Sequence, residues 1–64
     1  MSKAWLINSL RHEIDSNERQ YIQLLKQANG KKDEISDDRR TLAVAYLDAR
    51  NVFEAILTQQ GVAK

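Results

Sequence analysis

A single interruption, Asn29-Gly30-Lys31-Lys32, divides this chain into two long amphipathic segments and constrains its fold more than any other feature. Glycine readily takes the left-handed conformation with which many helices end. Lys26 precedes the break, where a cation suits the negative end of a helix dipole. Asn-Gly also favours β-hairpin turns, but the flanking segments repeat every three or four residues rather than every two. The sequence therefore predicts an all-α fold, an antiparallel hairpin of two helices.

The first segment has one apolar side and is predicted to be a helix over about residues 3–29. Its apolar residues recur at spacings of three and four, which places them in one stripe. The stripe consists of Leu6, Ile7, Leu10, Ile14, Tyr21, Leu24, Leu25 and Ala28. Asn17 interrupts it, and two interpretations are open. Asn17 is either a register device, since an unpaired polar group in a helix seam penalises wrong alignments, or a partly exposed residue at the edge of the stripe.

The second segment is predicted to be a helix over about residues 37–60, after a turn over about residues 30–36. Two residues could cap its start, Asp33 and Ser36. We prefer Ser36, because Asp37-Asp38 then falls in the first turn, at the positive end of the helix dipole. The two helices together form one domain over residues 1–64.

This second segment carries two apolar stripes on different sides. The larger stripe, expected to lie in the core, consists of Leu42, Ala45, Tyr46, Ala49, Val52, Phe53, Ile56 and Leu57. The smaller stripe consists of Ala43, Val44, Leu47 and Ala55. A two-helix hairpin buries one face of each helix, so we expect the smaller stripe, Val44 and Leu47 above all, to contact a further helix. The alternative is that these are scattered exposed apolar side chains, which are ordinary.

The small size of the chain also favours association. A chain of 64 residues buries only about 60% of its unfolded surface, so its stability as a monomer is marginal. It has no Cys, which excludes disulfides and thiolate zinc sites. We therefore predict that the hairpin dimerises into a four-helix bundle with coiled-coil-like seams. This layout is similar in kind to that of the Rop proteins, small dimeric helical hairpins that regulate plasmid RNA. No residue motif is shared, so no site residue is carried over.

Little in the sequence indicates catalysis, and we expect no enzymatic activity, cofactor, metal or small-molecule substrate. His12, Asp15 and Ser16 fall on the polar side of one helix, without a pocket or an oxyanion hole. The chain has no glycine-rich phosphate loop, no HExxH and no EF-hand loop. Trp5 also falls on the polar side. We expect it to pack across the open end of the hairpin, and the alternative is an exposed aromatic anchor for a partner.

Two classes of function fit these features. The first is a non-enzymatic protein-interaction module, such as a small regulator, inhibitor, chaperone or assembly factor that presents a helical face. Its candidate interaction residues are Trp5, Asn17, Val44 and Leu47. The alternative is a dimeric Rop-like nucleic-acid-binding regulator. Its candidate contact residues are Arg11, Arg19 and Lys26.

Charge favours the first class. Ten Lys and Arg residues against nine Asp and Glu residues give a net charge of +1, which is low for binding through phosphate contacts. The partner is therefore expected to be a second copy or another helical protein, with nucleic acid possible but disfavoured. Because the chain lacks a long apolar run, a signal-like start and Cys, we expect a cytoplasmic location and no membrane partner.

Overall fold

The structure, a computed structural model that describes residues 3–61, is a hairpin of two α-helices. Helix α1 spans Lys3–Ala28 and helix α2 spans Glu34–Gln59, and the two pack along each other. Glu18 in the middle of α1 pairs with Arg50 of α2, whereas Ala28 at the end of α1 meets Arg40 near the start of α2. This order of contacts makes the helices antiparallel. Each helix is about 39 Å long at 1.5 Å per residue, which fits the 46 Å long axis of the molecule.

Both helices end as their glycines predict. Gly30 has a φ of 72° and Gly61 a φ of 78°, the left-handed conformation in which a side chain would be strained. After α1, the Lys31 N–H donates to the Ala28 carbonyl at 3.1 Å, and after α2, the Gly61 N–H donates to the Thr58 carbonyl at 2.9 Å. These bonds satisfy carbonyls that the helix leaves without partners.

The start of α2 differs from the sequence prediction. The cap is Asp33, whose carboxylate accepts a 2.7 Å hydrogen bond from the Ser36 N–H, so the helix begins at Glu34 rather than at residue 37. The preference for Ser36 as the cap was wrong. A carboxylate is a stronger acceptor than a hydroxyl for the exposed N–H groups of a first turn. Ser36 instead lies in the interior and is fully buried, as is Ala28 at the end of α1.

The core between the helices is thin. Among the described residues, its buried apolar side chains are Leu10, Ala28, Ala43 and Leu57. Ser36, Ala43, Arg50 and Leu57 recur every seven residues, so they share the side of α2 that faces α1. Two of these four side chains are small and one is charged, so the hairpin gains little from burial of large apolar groups.

The two stripes of α2 divide differently between the core and the outside than the sequence suggested. Ala43, assigned to the smaller and outward stripe, is 0% exposed and packs against α1. Leu42 and Val52, assigned to the core stripe, are 49% and 59% exposed. The assignment to the hairpin core was therefore wrong for Leu42 and Val52, whereas it is confirmed for Leu57, which is buried. The strongly apolar side of α2 is turned about 100° away from α1, one residue's rotation in a helix.

Arg50 can lie in this inner seam because carboxylates surround it. Its guanidinium lies 3.0 Å from Glu54 on the same helix and 3.5 Å from Glu18 across the hairpin. The Arg50 and Glu54 side chains are 25% and 18% exposed, respectively, so both are partly desolvated. Opposite charges that share a partly dry site stabilise each other more than they would at the surface. Arg50 and Glu54 are four residues apart, the spacing of neighbours on one helix face, whereas the pair with Glu18 joins the two helices.

Candidate interaction surface

The candidate site is the outer face of α2, defined by apolar residues that do not face α1. Its members are Ile35, Leu42, Ala45, Tyr46, Ala49, Val52, Phe53 and Ile56. Within it, Leu42, Tyr46, Ala49, Phe53 and Ile56 follow one another at alternating spacings of four and three. That alternation is the pattern of a helix seam that packs against another helix.

Most of this face is open to solvent in the hairpin. Ile35, Leu42 and Val52 are 64%, 49% and 59% exposed. Tyr46, Ala49, Phe53 and Ile56 are half-buried, since α1 covers only one of their flanks. Continuous apolar surface of this kind is uncommon on a protein that works alone, and it usually marks an interaction site.

The total surface of the hairpin is large for its mass. A folded monomer of 7.4 kDa exposes about 4,200 Å² by the usual scaling of surface with mass. This chain exposes 4814 Å², about 600 Å² more than that scaling gives. The hairpin is elongated, with axes of 46, 17 and 14 Å. A hairpin of two helices has no further element with which to cover the outer face of α2.

The turn end of the hairpin is held by Arg40. Its guanidinium donates to the Ala28 carbonyl at 2.9 Å and to the Lys31 carbonyl, and it also pairs with Asp37 at 2.6 Å. Arg40 therefore binds the end of α1, the turn and the first turn of α2 together. Sequence analysis missed this role, because it depends on how closely α2 returns to the end of α1.

The cap at Asp33 has a perturbed acidity. The hydrogen bond from the Ser36 N–H lowers the pKa of the Asp33 carboxyl below its ordinary value of 3.8, and nearby Lys31 and Arg39 lower it further. Each of these groups favours the charged carboxylate. Asp33 is therefore ionised throughout the neutral range, as a helix cap at the positive end of the dipole should be.

Two depressions lie on the helix surfaces. One, of about 350 Å³, lies on α1 alone and is lined by Trp5, Asn8, Ser9, His12 and Glu13. The other, of about 230 Å³, lies between the helices and is lined by Arg11, Ile14, Asp15, Glu18, Glu54, Leu57 and Thr58. The three carboxylates of the second depression each lie within ion-pair distance of an arginine. Across residues 3–61, no three His, Cys, Asp or Glu side chains are arranged to hold a metal ion.

The four interaction residues suggested by the sequence do not form one surface. More than half of Trp5 is exposed, and the depression beside it is formed by side chains of α1. Val44 is exposed on α2, about 100° from Ala43 and on the flank opposite the outer face. Leu47 is half-buried on the inner side. Asn17 is half-buried, and its side-chain amide donates a 2.8 Å hydrogen bond to the Glu13 carbonyl of its own helix.

The three residues suggested for nucleic-acid contact are all exposed on α1. Arg19 is paired with Asp15 at 3.0 Å, which offsets its charge. Arg11 lies beside the same carboxylate, in the wall of the depression between the helices. Lys26 lies in the last turn of α1, where it faces the negative end of the helix dipole. These positions provide no continuous basic stripe along which a nucleic-acid backbone could bind.

Comparisons with known protein families, with curated proteins and with solved structures found no significant match to this chain. In the part of the chain that the structure describes, neither helix is long and apolar enough to cross a membrane. The outer face of α2 is thus the feature with the clearest physical meaning for function.

Proposed function

We propose that this chain is a small, non-enzymatic protein-interaction module whose working form is a homodimer, with two hairpins packed into a four-helix bundle. The observation that supports the proposal is the outer face of α2, a seam of helical spacing that α1 covers only in part. Helix faces of this kind bind other helices, because a helix is the element that fits their spacing.

The angle between the two packing faces of α2 supports a bundle of four helices. The inner face contains Ala43 and the outer face contains Leu42, so the two directions differ by about 100°. That is close to a right angle, the angle between the two neighbours of a helix at the corner of a square bundle. One neighbour is α1 of the same chain, and the other belongs to a second copy.

A second copy has a long seam to cover. The outer face runs from Ile35 to Ile56, over about 32 Å of helix at 1.5 Å per residue. At about 25 cal/mol per Å² of apolar surface, covering this face adds to a core whose buried leucines, among residues 3–61, are Leu10 and Leu57. Association therefore supplies what the thin hairpin core lacks.

In the dimer, the polar sides of α1 remain available to a further protein, and we propose a regulator, inhibitor, chaperone or assembly factor of the cytoplasm. The absence of Cys supports that location. The non-enzymatic part of the proposal is supported by the exposed positions of His12, Asp15 and Ser16 on one helix. His12 and Asp15 line two different depressions, so these side chains do not converge on one site.

The test is the mass of the purified chain in solution, measured by light scattering over a dilution series. We expect a species of twice 7.4 kDa that dissociates only on dilution. A Leu42→Glu variant should be monomeric, because it places a charge in the centre of the outer face. Val44→Glu is the matched control, since Val44 is equally exposed on the opposite flank of the same helix.

Three outcomes would count against the proposal. A wild-type chain that stays monomeric at every concentration would remove the homodimer. Loss of the dimer in Val44→Glu but not in Leu42→Glu would move the interface to the opposite flank. Binding of RNA or DNA at submicromolar protein, with a steep loss of affinity as salt rises, would favour the nucleic-acid-binding class instead.

A further inference from the structure

We propose that the two copies pair through their α2 helices in antiparallel orientation. The two-fold axis passes between the two α2 helices, at the level of residues 47 and 48. This inference rests on the homodimer proposed above and adds its geometry. The occupant of the outer face of α2 is therefore the same face of a second copy. Three features support this geometry: the position of the one small side chain in the seam, the one charged residue in the seam, and the closure of the bundle.

The position of Ala49, the one small side chain of the seam, suits antiparallel pairing. In that orientation, Tyr46 of one copy lies opposite Ala49 of the other, and Leu42 lies opposite Phe53. Each layer then combines a bulky side chain with a smaller one, which fills space evenly. In parallel pairing each residue would meet its own copy, so the Ala49 layer would be underfilled and the Tyr46 and Phe53 layers would be crowded.

Charge favours the same orientation. Arg39 is half-buried and occupies the seam position one heptad before Tyr46. Parallel pairing would bring the two Arg39 side chains of the dimer together, and like charges in a seam repel. Antiparallel pairing places Arg39 opposite Ile56, where its aliphatic stem can cover the apolar side chain while the guanidinium reaches water.

The arrangement of α1 provides the third argument. The two-fold axis of an antiparallel α2 pair is perpendicular to the helices, so it places both copies of α1 on the same side of the pair. The four helices then form a closed square. In a parallel pair the axis runs along the helices and places the two α1 helices on opposite sides, which leaves an open row. The closed bundle covers more of the half-buried Tyr46 and Phe53 side chains.

Disulfide trapping tests this geometry directly, because the wild-type chain has no Cys. Leu42→Cys and Phe53→Cys are made as separate variants, mixed in equal amounts and equilibrated in a glutathione redox buffer. In the antiparallel dimer, the two positions face each other across copies. Because residue 42 faces residue 53, the two copies of residue 42 are offset by eleven residues, or about 17 Å along the helix axes. A disulfide requires Cα atoms within about 7 Å, so neither variant should form a disulfide dimer alone.

The expected result is that the mixture gives the mixed disulfide dimer as its main crosslinked product, identified by its mass. Disulfide dimers of either single variant alone would show parallel pairing and overturn the inference. Should these substitutions weaken association, Ile35→Cys and Gln60→Cys form a second pair with the same symmetry. Both lie near the ends of the seam, so the interface keeps its central side chains. The reduced variants are first shown to have the wild-type mass in solution.

The outcomes separate this inference from the proposed function. If the wild-type chain is monomeric, the homodimer itself fails. If it is dimeric but neither mixed pair becomes crosslinked, the dimer stands and the antiparallel α2 interface is wrong. Val44→Cys, mixed with either Leu42→Cys or Phe53→Cys, is the control for the opposite flank of α2 and should stay uncrosslinked. Efficient mixed crosslinking through Val44 would place the second copy on that flank and overturn the inference.

Discussion

Replacing Ala43 by leucine tests which side of α2 faces α1. Ala43 is 0% exposed, and the small residues Ser36 and Ala28 are also fully buried, closer to the turn. The three additional carbon atoms of a leucine side chain at this position would have to enter the space between two closely packed backbones. The sequence pattern alone suggests the opposite, since it places Ala43 on the outward stripe, where a leucine would be harmless.

The expected cost comes from overpacking of this contact. Inserting a larger apolar side chain into a filled site typically destabilises a protein by about 1–3 kcal/mol. In a domain of 60–100 residues, each kcal/mol lowers the thermal midpoint by about 4–8 °C, so Ala43→Leu should lower it by at least about 4 °C. Helix propensity contributes little to the difference, because alanine and leucine are both strong helix formers.

The assay is thermal unfolding followed by circular dichroism, with all variants at one protein concentration because association makes the midpoint concentration-dependent. Ala55→Leu is the matched control. Ala55 is exposed on α2 and lies away from both α1 and the outer face. The same substitution there should leave the midpoint nearly unchanged. Equal shifts in the two variants, or a larger shift in Ala55→Leu, would refute the orientation of α2 described here.

Two further predictions concern polar groups. A double-mutant cycle of Arg50→Met and Glu54→Gln, measured by urea unfolding, should give a coupling free energy of about 0.5–3 kcal/mol. The reason is that the two side chains form a 3.0 Å ion pair in a partly buried seam. Additive effects of the two substitutions would show that the pair contributes nothing to stability. Because the folded-state pKa of Asp33 is lowered, its stabilising charge is present above the unfolded pKa near 3.8 and is lost as the pH falls through the folded value. From about pH 5 to about pH 2, wild type should therefore lose more stability than Asp33→Asn, which keeps a cap acceptor without a titrating charge, and equal losses would contradict this role.

The candidate surface could be named in large part from the sequence, but its neighbour could not. Leu42, Tyr46 and Phe53 stand out as one apolar face by their spacing alone. The sequence analysis assigned that face to α1 because it is the more apolar of the two. It assigned Val44 and Leu47 to a partner for the same reason, although the structure places Leu47 on the inner side of α2.

The sequence by itself determined the local features of the fold. Helical spacing specifies two long helices, and Gly30 and Gly61 specify where they end, because the left-handed conformation is a property of a single residue. The heptad spacing likewise shows that α2 has more apolar surface than one neighbour covers. None of these features depends on the distance between residues that are remote in the chain.

The tertiary structure alone decided the rotation of α2 about its axis. That rotation depends on contacts between remote residues, such as those of Arg40 with the end of α1 and of Arg50 with Glu18. An arginine in a seam reads in the sequence as a solvent-facing residue, because its carboxylate partner on the other helix is 32 positions away. Small residues can also favour the inner position by permitting close backbone approach, which a pattern based on hydrophobicity undervalues.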